Sequence, residues 1–118
     1  MVDDSIIRAN VVIRIVYILK KSGATEIHFR SASPPTRYGC WYGIDTNRIE
    51  DELIAKKTES IAEIKRLIDE RIVLEYGCNY SLDSLDYISL EGMEQVWRNA
   101  GITEGLCNAC WTGKYPVK

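Results

Sequence analysis

The sequence predicts an α/β chain, with a parallel-sheet core over residues 1–57 continued by a mainly helical segment over 58–118. Two observations carry this reading. Strand, helix and strand follow one another over residues 1–30, and that order implies a parallel βαβ crossover. Beyond Asp45 the chain reads as mainly helical, with charges placed to suit helix ends.

Taken in order, Met1 to Ile7 reads as the tail of a strand entering a turn. Val11 to Lys21 follows a helical pattern, with Val12, Ile15, Val16 and Leu19 on one face and Arg14, Tyr17 and Lys21 on the other. Ser22 and Gly23 close that helix, and Lys20 and Lys21 suit its negative end. From Thr25 to Arg30, Ile27 and Phe29 alternate with Glu26, His28 and Arg30, as in a strand with one apolar face. Pro34 and Pro35 end it, because proline cannot donate to a sheet ladder. Glu50, Asp51 and Glu52 open a short helix that Lys56 and Lys57 close. Ser60 and Glu63 form a capping box ahead of Ile61, Ile64 and Ile68. Tyr87 to Leu90 predicts a further strand, leading into a helix that stops near Gly101.

The 118 residues suit one domain or part of one, and 46% hydrophobic with 27% charged residues is an ordinary globular balance. A net charge of -2 gives no whole-chain attraction to nucleic acid or anionic lipid, so any anion site must be local. Neither a membrane span nor a signal peptide is legible, and Asp3 and Asp4 stand where a leader would be basic. The expected compartment is the cytoplasm, where four cysteines read as metal or cluster ligands before disulfides.

Three segments offer chemistry. Val2 to Asn10 places two carboxylates between a strand end and a helix start. Unpaired N–H groups at a helix start hold phosphate, and carboxylates beside them bind sugar hydroxyls or Mg²⁺. The same carboxylates also read as ordinary terminal residues. Cys107 and Cys110 have a C-x-x-C spacing, with Cys40 and Cys78 elsewhere, which suits zinc or an iron–sulfur cluster equally. The run from Ser31 to Pro35, and on to Asp45, shapes a loop at the C-terminal end of a parallel strand, where open α/β sheets place ligands. Trp41 and Tyr42 there also read as core packing, and His28, on a polar strand face, as a solvated side chain.

Together these segments resemble the amidophosphoribosyltransferase family along nearly the whole chain. The run Val2 to Arg8 resembles the phosphoribosyl-pyrophosphate signature of type I phosphoribosyltransferases. Ala32 to Pro35, Cys40 with Tyr42 to Asp45, Glu52 to Ala55, Asp83 to Leu85, Tyr87 to Gly92 and Cys107 to Val117 follow in the family's order. The resemblance implies a partial type I phosphoribosyltransferase core and a C-terminal portion of an enzyme of de novo purine synthesis. That enzyme makes phosphoribosylamine from phosphoribosyl pyrophosphate and ammonia released from glutamine. It further implies that Asp3 and Asp4 grip the ribose hydroxyls close to Mg²⁺, with Ser5, Ile6, Ile7, Arg8, Ala9 and Asn10 around the 5′-phosphate. Cys40, Cys107 and Cys110 match three of the four ligands of the 4Fe–4S cluster of one branch of the family, zinc being the other reading.

The departures from the family shape the expectations as much. Its phosphate loop reads Arg-Gly-Asn-Thr or Arg-Gly-Thr-Thr, against Arg8, Ala9, Asn10 and Val11 here. Ala9 puts a β-carbon where glycine allows positive φ, and Val11 lacks a hydroxyl donor. Losing one donor to a charged group costs about 1.5–3 kcal/mol, so phosphoribosyl pyrophosphate binding is expected weak or lost. The glutaminase domain, upstream strands and fourth cluster ligand are expected outside this chain, and Cys78 lies in what resembles an insertion. The expectation is a portion inactive alone. A subunit completed by a glutaminase-bearing partner, a homo-oligomer and a non-catalytic metal-binding module are the other expectations.

Overall fold

The computed structural model describes residues 1–117. Strand β1 (Val2–Asp3) leads through a loop into helix α1 (Asn10–Lys21) and back to strand β2 (His28–Ser31). Two 3₁₀ stretches, Asn47–Glu52 and Ile54–Lys56, precede helix α2 (Ile61–Tyr76), strand β3 (Ser84–Tyr87), helix α3 (Leu90–Asn99) and the one-turn helix α4 (Ala109–Thr112). The three strands lie in the order β1-β2-β3, all parallel, so the chain is α/β as its pattern predicts. Register pairs Val2 with Arg30 and His28 with Ser84.

One face of the sheet is the core. Phe29 is fully buried and Leu85 nearly so, and α1 and α2 cover them with Ile13, Val16, Ile64, Ile68 and Ile72. The buried isoleucines of α2, Ile64, Ile68 and Ile72, fall every four residues, which puts them on one side of the helix. Each buried isoleucine contributes about 1.5–3 kcal/mol relative to exposure. The other face carries His28, Arg30, Ser84 and Asp86 and is polar, although parallel sheets are commonly covered on both sides. Cross-strand pairs stitch it: His28 Nδ1 lies 2.8 Å from Ser84 Oγ, and Arg30 meets Asp86 at 3.3 Å. Asp83 joins β2 to β3 at their start, its carboxylate accepting from the Ile27 amide at 2.7 Å and from Lys20 at 3.3 Å.

Several local expectations shift. The buried stripe of α1 is Val12, Ile13 and Val16, with Ile15 half-buried and Leu19 exposed. The cause is α2, which packs beside α1 and draws the buried side toward Ile13 and Tyr17; Tyr17 stacks on Tyr76 at 4.0 Å. The strand expected at Tyr87–Leu90 lies at Ser84–Tyr87 instead, because Ser89 caps α3 by accepting from the Gly92 amide at 3.0 Å. Glu50 and Asp51 do not open a helix. They close the first 3₁₀ stretch and share Lys56 at 2.9 and 3.0 Å. Trp41 and Tyr42 are exposed rather than packed in the core. Ser60 caps α2 as expected, accepting from the Glu63 amide, while the Glu63 carboxylate pairs with Arg66 instead of completing the box.

Replacing Ile68 by Ala should lower the unfolding free energy by about 2–5 kcal/mol in a urea titration, since the site sits where both helices meet the sheet. A loss below about 1 kcal/mol would mean that α2 is not seated as described.

Candidate functional site

The backbone leaves β1 at Asp3, turns, and enters α1 at Asn10. Within that turn the Asp4 amide donates to Asp3 Oδ1 at 2.9 Å and the Ser5 hydroxyl to Asp4 Oδ1 at 3.1 Å, so each carboxylate keeps a second oxygen for a ligand. Ile6 is buried and anchors the loop from below, and the Ile54 amide donates to the Ile7 carbonyl at 2.9 Å. The residues Asp3 to Val12, with Phe29 and Ile49, line one cavity of about 320 Å³. All eight residues that the sequence offers for phosphoribosyl pyrophosphate therefore share a single depression. It lies at the C-terminal end of β1, the position open α/β sheets use for ligands.

Ala9 holds the turn together at a conformational cost. Its φ of 65° and ψ of 5° are left-handed, and it is the one non-glycine residue with positive φ among the described residues. An L-residue there loses about 1–2 kcal/mol to contact between its Cβ and the carbonyl. Ala9 is 4% exposed, so its methyl does return some burial. No side chain caps α1. Its first amides consequently keep free N–H groups beside the cavity, and the Ile13 amide makes the first intrahelical bond, to the Ala9 carbonyl at 3.0 Å. Arg8 points to Glu52 at 3.1 Å in an exposed pair that a competing anion can open.

The cysteines form a second locus. Gly39 packs so tightly that a Cβ there would stand 2.6 Å from the Asn47 Cα, and its amide donates to Glu50 Oε2 at 2.9 Å. Lys56 and that amide hold the Glu50 carboxyl below the usual carboxylate range. The Cys40 amide donates to Thr46 Oγ1 at 2.9 Å, and the Tyr115 hydroxyl donates to the Gly39 carbonyl at 2.6 Å. From the other side, the Arg37 and Tyr38 amides donate to the Cys110 carbonyl at 3.0 and 3.1 Å. The loop carrying Cys40 is thus sewn to the turn carrying Cys107 and Cys110. Burial pushes the Cys110 thiol up, and charge on Cys40 and on Cys107 pushes it the same way. Cys78 instead packs against the hydrophobic core beyond α2.

Three thiols from two segments are a soft donor set suited to iron–sulfur or zinc chemistry. Among the described residues, no group of three Cys, His, Asp or Glu side chains stands ready to hold one metal ion. Asp3 and Asp4, with one another and the cavity for company, suit a Mg²⁺ that keeps most of its waters and takes further oxygens from a bound phosphate.

Sequence reasoning missed Arg71, Glu52, Thr46, Glu50 and Tyr115, which support the two loci from a distance along the chain. Their signal is tertiary. Glu50 and Lys56 read as helix-end charges, and only the fold shows that Glu50 holds the Gly39 turn.

Replacing Ala9 by Gly should raise the unfolding free energy by about 1 kcal/mol, because glycine adopts the left-handed region freely and is the better residue at a helix N-cap. Denaturant titration checks it, and equal or lower stability would contradict the conformation at Ala9.

No protein-family model matches the chain. Curated relatives do. It is 41% identical over 117 residues to an amidophosphoribosyltransferase of Archaeoglobus fulgidus, covering 99% of this chain and 22% of that protein. It is 42% identical over 120 residues to one of Bacillus subtilis, covering 100% of this chain and 22% of that protein. The solved glutamine phosphoribosylpyrophosphate amidotransferase from B. subtilis, complexed with ADP and GMP, superposes with a TM-score of 0.72 at 41% identity, over 98% of this chain and 23% of that one. A structure described as the allosteric regulatory enzyme of purine biosynthesis gives the same TM-score of 0.72 over 98% of this chain and 22% of that one. The chain spans about one fifth of the length of the relatives it matches. Over that span, in sequence and in fold, it is a homologue of the amidophosphoribosyltransferases.

Proposed function

We propose that this chain is the C-terminal portion of an amidophosphoribosyltransferase and that it retains a weakened phosphoribosyl pyrophosphate cradle. The observation that carries the reading is the single cavity lined by Asp3 to Val12, where carboxylates, loop amides and a helix start converge. In this reading the free N–H groups between Ser5 and Asn10 face the 5′-phosphate, and Arg8 leaves Glu52 to add charge. Asp3 and Asp4 accept from the ribose 2- and 3-hydroxyls, next to a Mg²⁺ that neutralises the pyrophosphate leaving group. Val11 is exposed at the rim and offers no hydroxyl, and Ala9 puts a β-carbon in a left-handed position where the family pattern has glycine, so binding is weaker than that pattern supports.

The chain spans about one fifth of the length of its relatives, and we infer that it is inactive alone in phosphoribosylamine formation; a subunit completed by a glutaminase-bearing polypeptide is the second reading. Calorimetry with Mg²⁺ and phosphoribosyl pyrophosphate tests the cradle. The unaltered chain should bind more weakly than micromolar, and the double replacement Ala9→Gly with Val11→Thr should tighten binding by about ten- to hundredfold. Micromolar binding by the unaltered chain would remove the impairment, and no gain in the double variant would remove the site.

Cys40, Cys107 and Cys110 are proposed as three ligands of a 4Fe–4S cluster whose fourth ligand comes from outside this chain. The support is the hydrogen bonding that joins the Cys40 loop to the turn carrying Cys107 and Cys110, while Cys78 packs against the hydrophobic core. Bound there, a cluster cross-links the Cys40 loop to the C-terminal turn. Anaerobic reconstitution with iron and sulfide should give broad visible absorbance that persists in Cys78→Ser and disappears in Cys107→Ser. Persistence in Cys107→Ser, or stoichiometric zinc uptake without visible absorbance, would overturn the assignment.

A further inference from the structure

The loop between β1 and α1 is gripped by a residue far along the chain. Arg71, in the second half of α2, donates from Nη1 to the Arg8 carbonyl at 2.5 Å and from Nη2 to Asn10 Oδ1 at 2.8 Å. The same Nη2 reaches Glu75 Oε1 at 2.8 Å, one turn further along α2. The two loop acceptors flank Ala9, the residue in the left-handed conformation. A planar guanidinium with donors in a fixed fork spans both at once, which a lysine ammonium on its flexible stem does not. Glu75 fixes the fork from behind.

We infer that Arg71 is a positioning residue for the phosphate cradle, holding the Arg8 carbonyl and the Asn10 side chain on either side of Ala9 in the shape that presents the loop's N–H groups to an anion. This rests on the cradle reading of the preceding subsection for its ligand but not for its geometry. The left-handed turn has no glycine to make it cheap and no side-chain cap on α1 to fix it, so an external clamp supplies the constraint. By taking up the Arg8 carbonyl, Arg71 also removes an acceptor from the neighbourhood of the phosphate. Its positive charge stands close behind the loop, where it favours an anion in front.

Two readouts separate this role from a plain structural one. Amide hydrogen exchange of Ile13, whose bond to the Ala9 carbonyl closes the turn, is measured without ligand and compared with Phe29 in the sheet. Phosphoribosyl pyrophosphate affinity with Mg²⁺ is measured on the Ala9→Gly, Val11→Thr background. Arg71→Ala should speed Ile13 exchange while leaving Phe29 unchanged, and should weaken binding about tenfold or more, the effect of losing charge-assisted bonds. Arg71→Lys, which keeps charge and stem and so retains the fold, should recover less than half of the lost protection. If the background variant binds nothing while Arg71→Ala still frees Ile13, the cradle reading falls and the clamp stands. Ile13 exchange unchanged in both variants, Phe29 exchange rising equally, or unchanged affinity on a binding background would each overturn the proposal.

Discussion

Six residues carry the chain from the last carboxylate of β1 to the start of α1, and the left-handed backbone at Ala9 makes that short connection possible. A wider loop would move the helix start away from the strand end and separate the carboxylates from the free amides. The turn is held from three directions: by buried Ile6 beneath, by the Ile54 amide on the Ile7 carbonyl, and by Arg71 on the Arg8 carbonyl and the Asn10 side chain. Each tether comes from a different part of the fold. Packing of α2 against α1 through its isoleucine ridge is what brings Arg71 within reach, so core energetics and site geometry are one problem here.

The cysteine locus follows the same logic with different chemistry. Gly39 is required by close approach to Asn47, not by a special φ, and the crowding lets Glu50 hold its amide while Thr46 holds that of Cys40. The C-terminal turn reaches this loop through the Cys110 carbonyl and the Tyr115 hydroxyl. Two segments some seventy residues apart, Cys40 and Cys110, are thereby fixed before any cluster is considered. A bound cluster would reinforce a junction that hydrogen bonds already define.

What the sequence made legible was local. The crossover from β1 through α1 to β2 showed in alternating and helical periods, and Ser60 announced the start of α2 by its own hydroxyl. The residues from Asp3 to Asn10 read by themselves as an ordinary turn; the phosphate-loop reading comes from the resemblance of Val2 to Arg8 to the family's signature, and the structure places the segment around one cavity. The sequence pattern places β3 three residues late, because Tyr87 and Ile88 are as strand-like as Leu85 and only the fold shows Ser89 capping α3. Arg71 gave no hint, because Glu75 at i+4 offers it a sufficient local partner. That the Cys40 loop lies beside the turn carrying Cys107 and Cys110 follows from no spacing in the chain; hydrogen bonds from Arg37, Tyr38 and Tyr115 make the junction.

The most direct measurement is a titration of the isotopically labelled chain with phosphoribosyl pyrophosphate and Mg²⁺, following backbone amide resonances. Shifts centred on Asp3 through Val12, with the Cys40 loop and α3 unmoved, are what a phosphate cradle at the end of β1 predicts. Shifts centred elsewhere, or none at ligand concentrations well above millimolar, would contradict it.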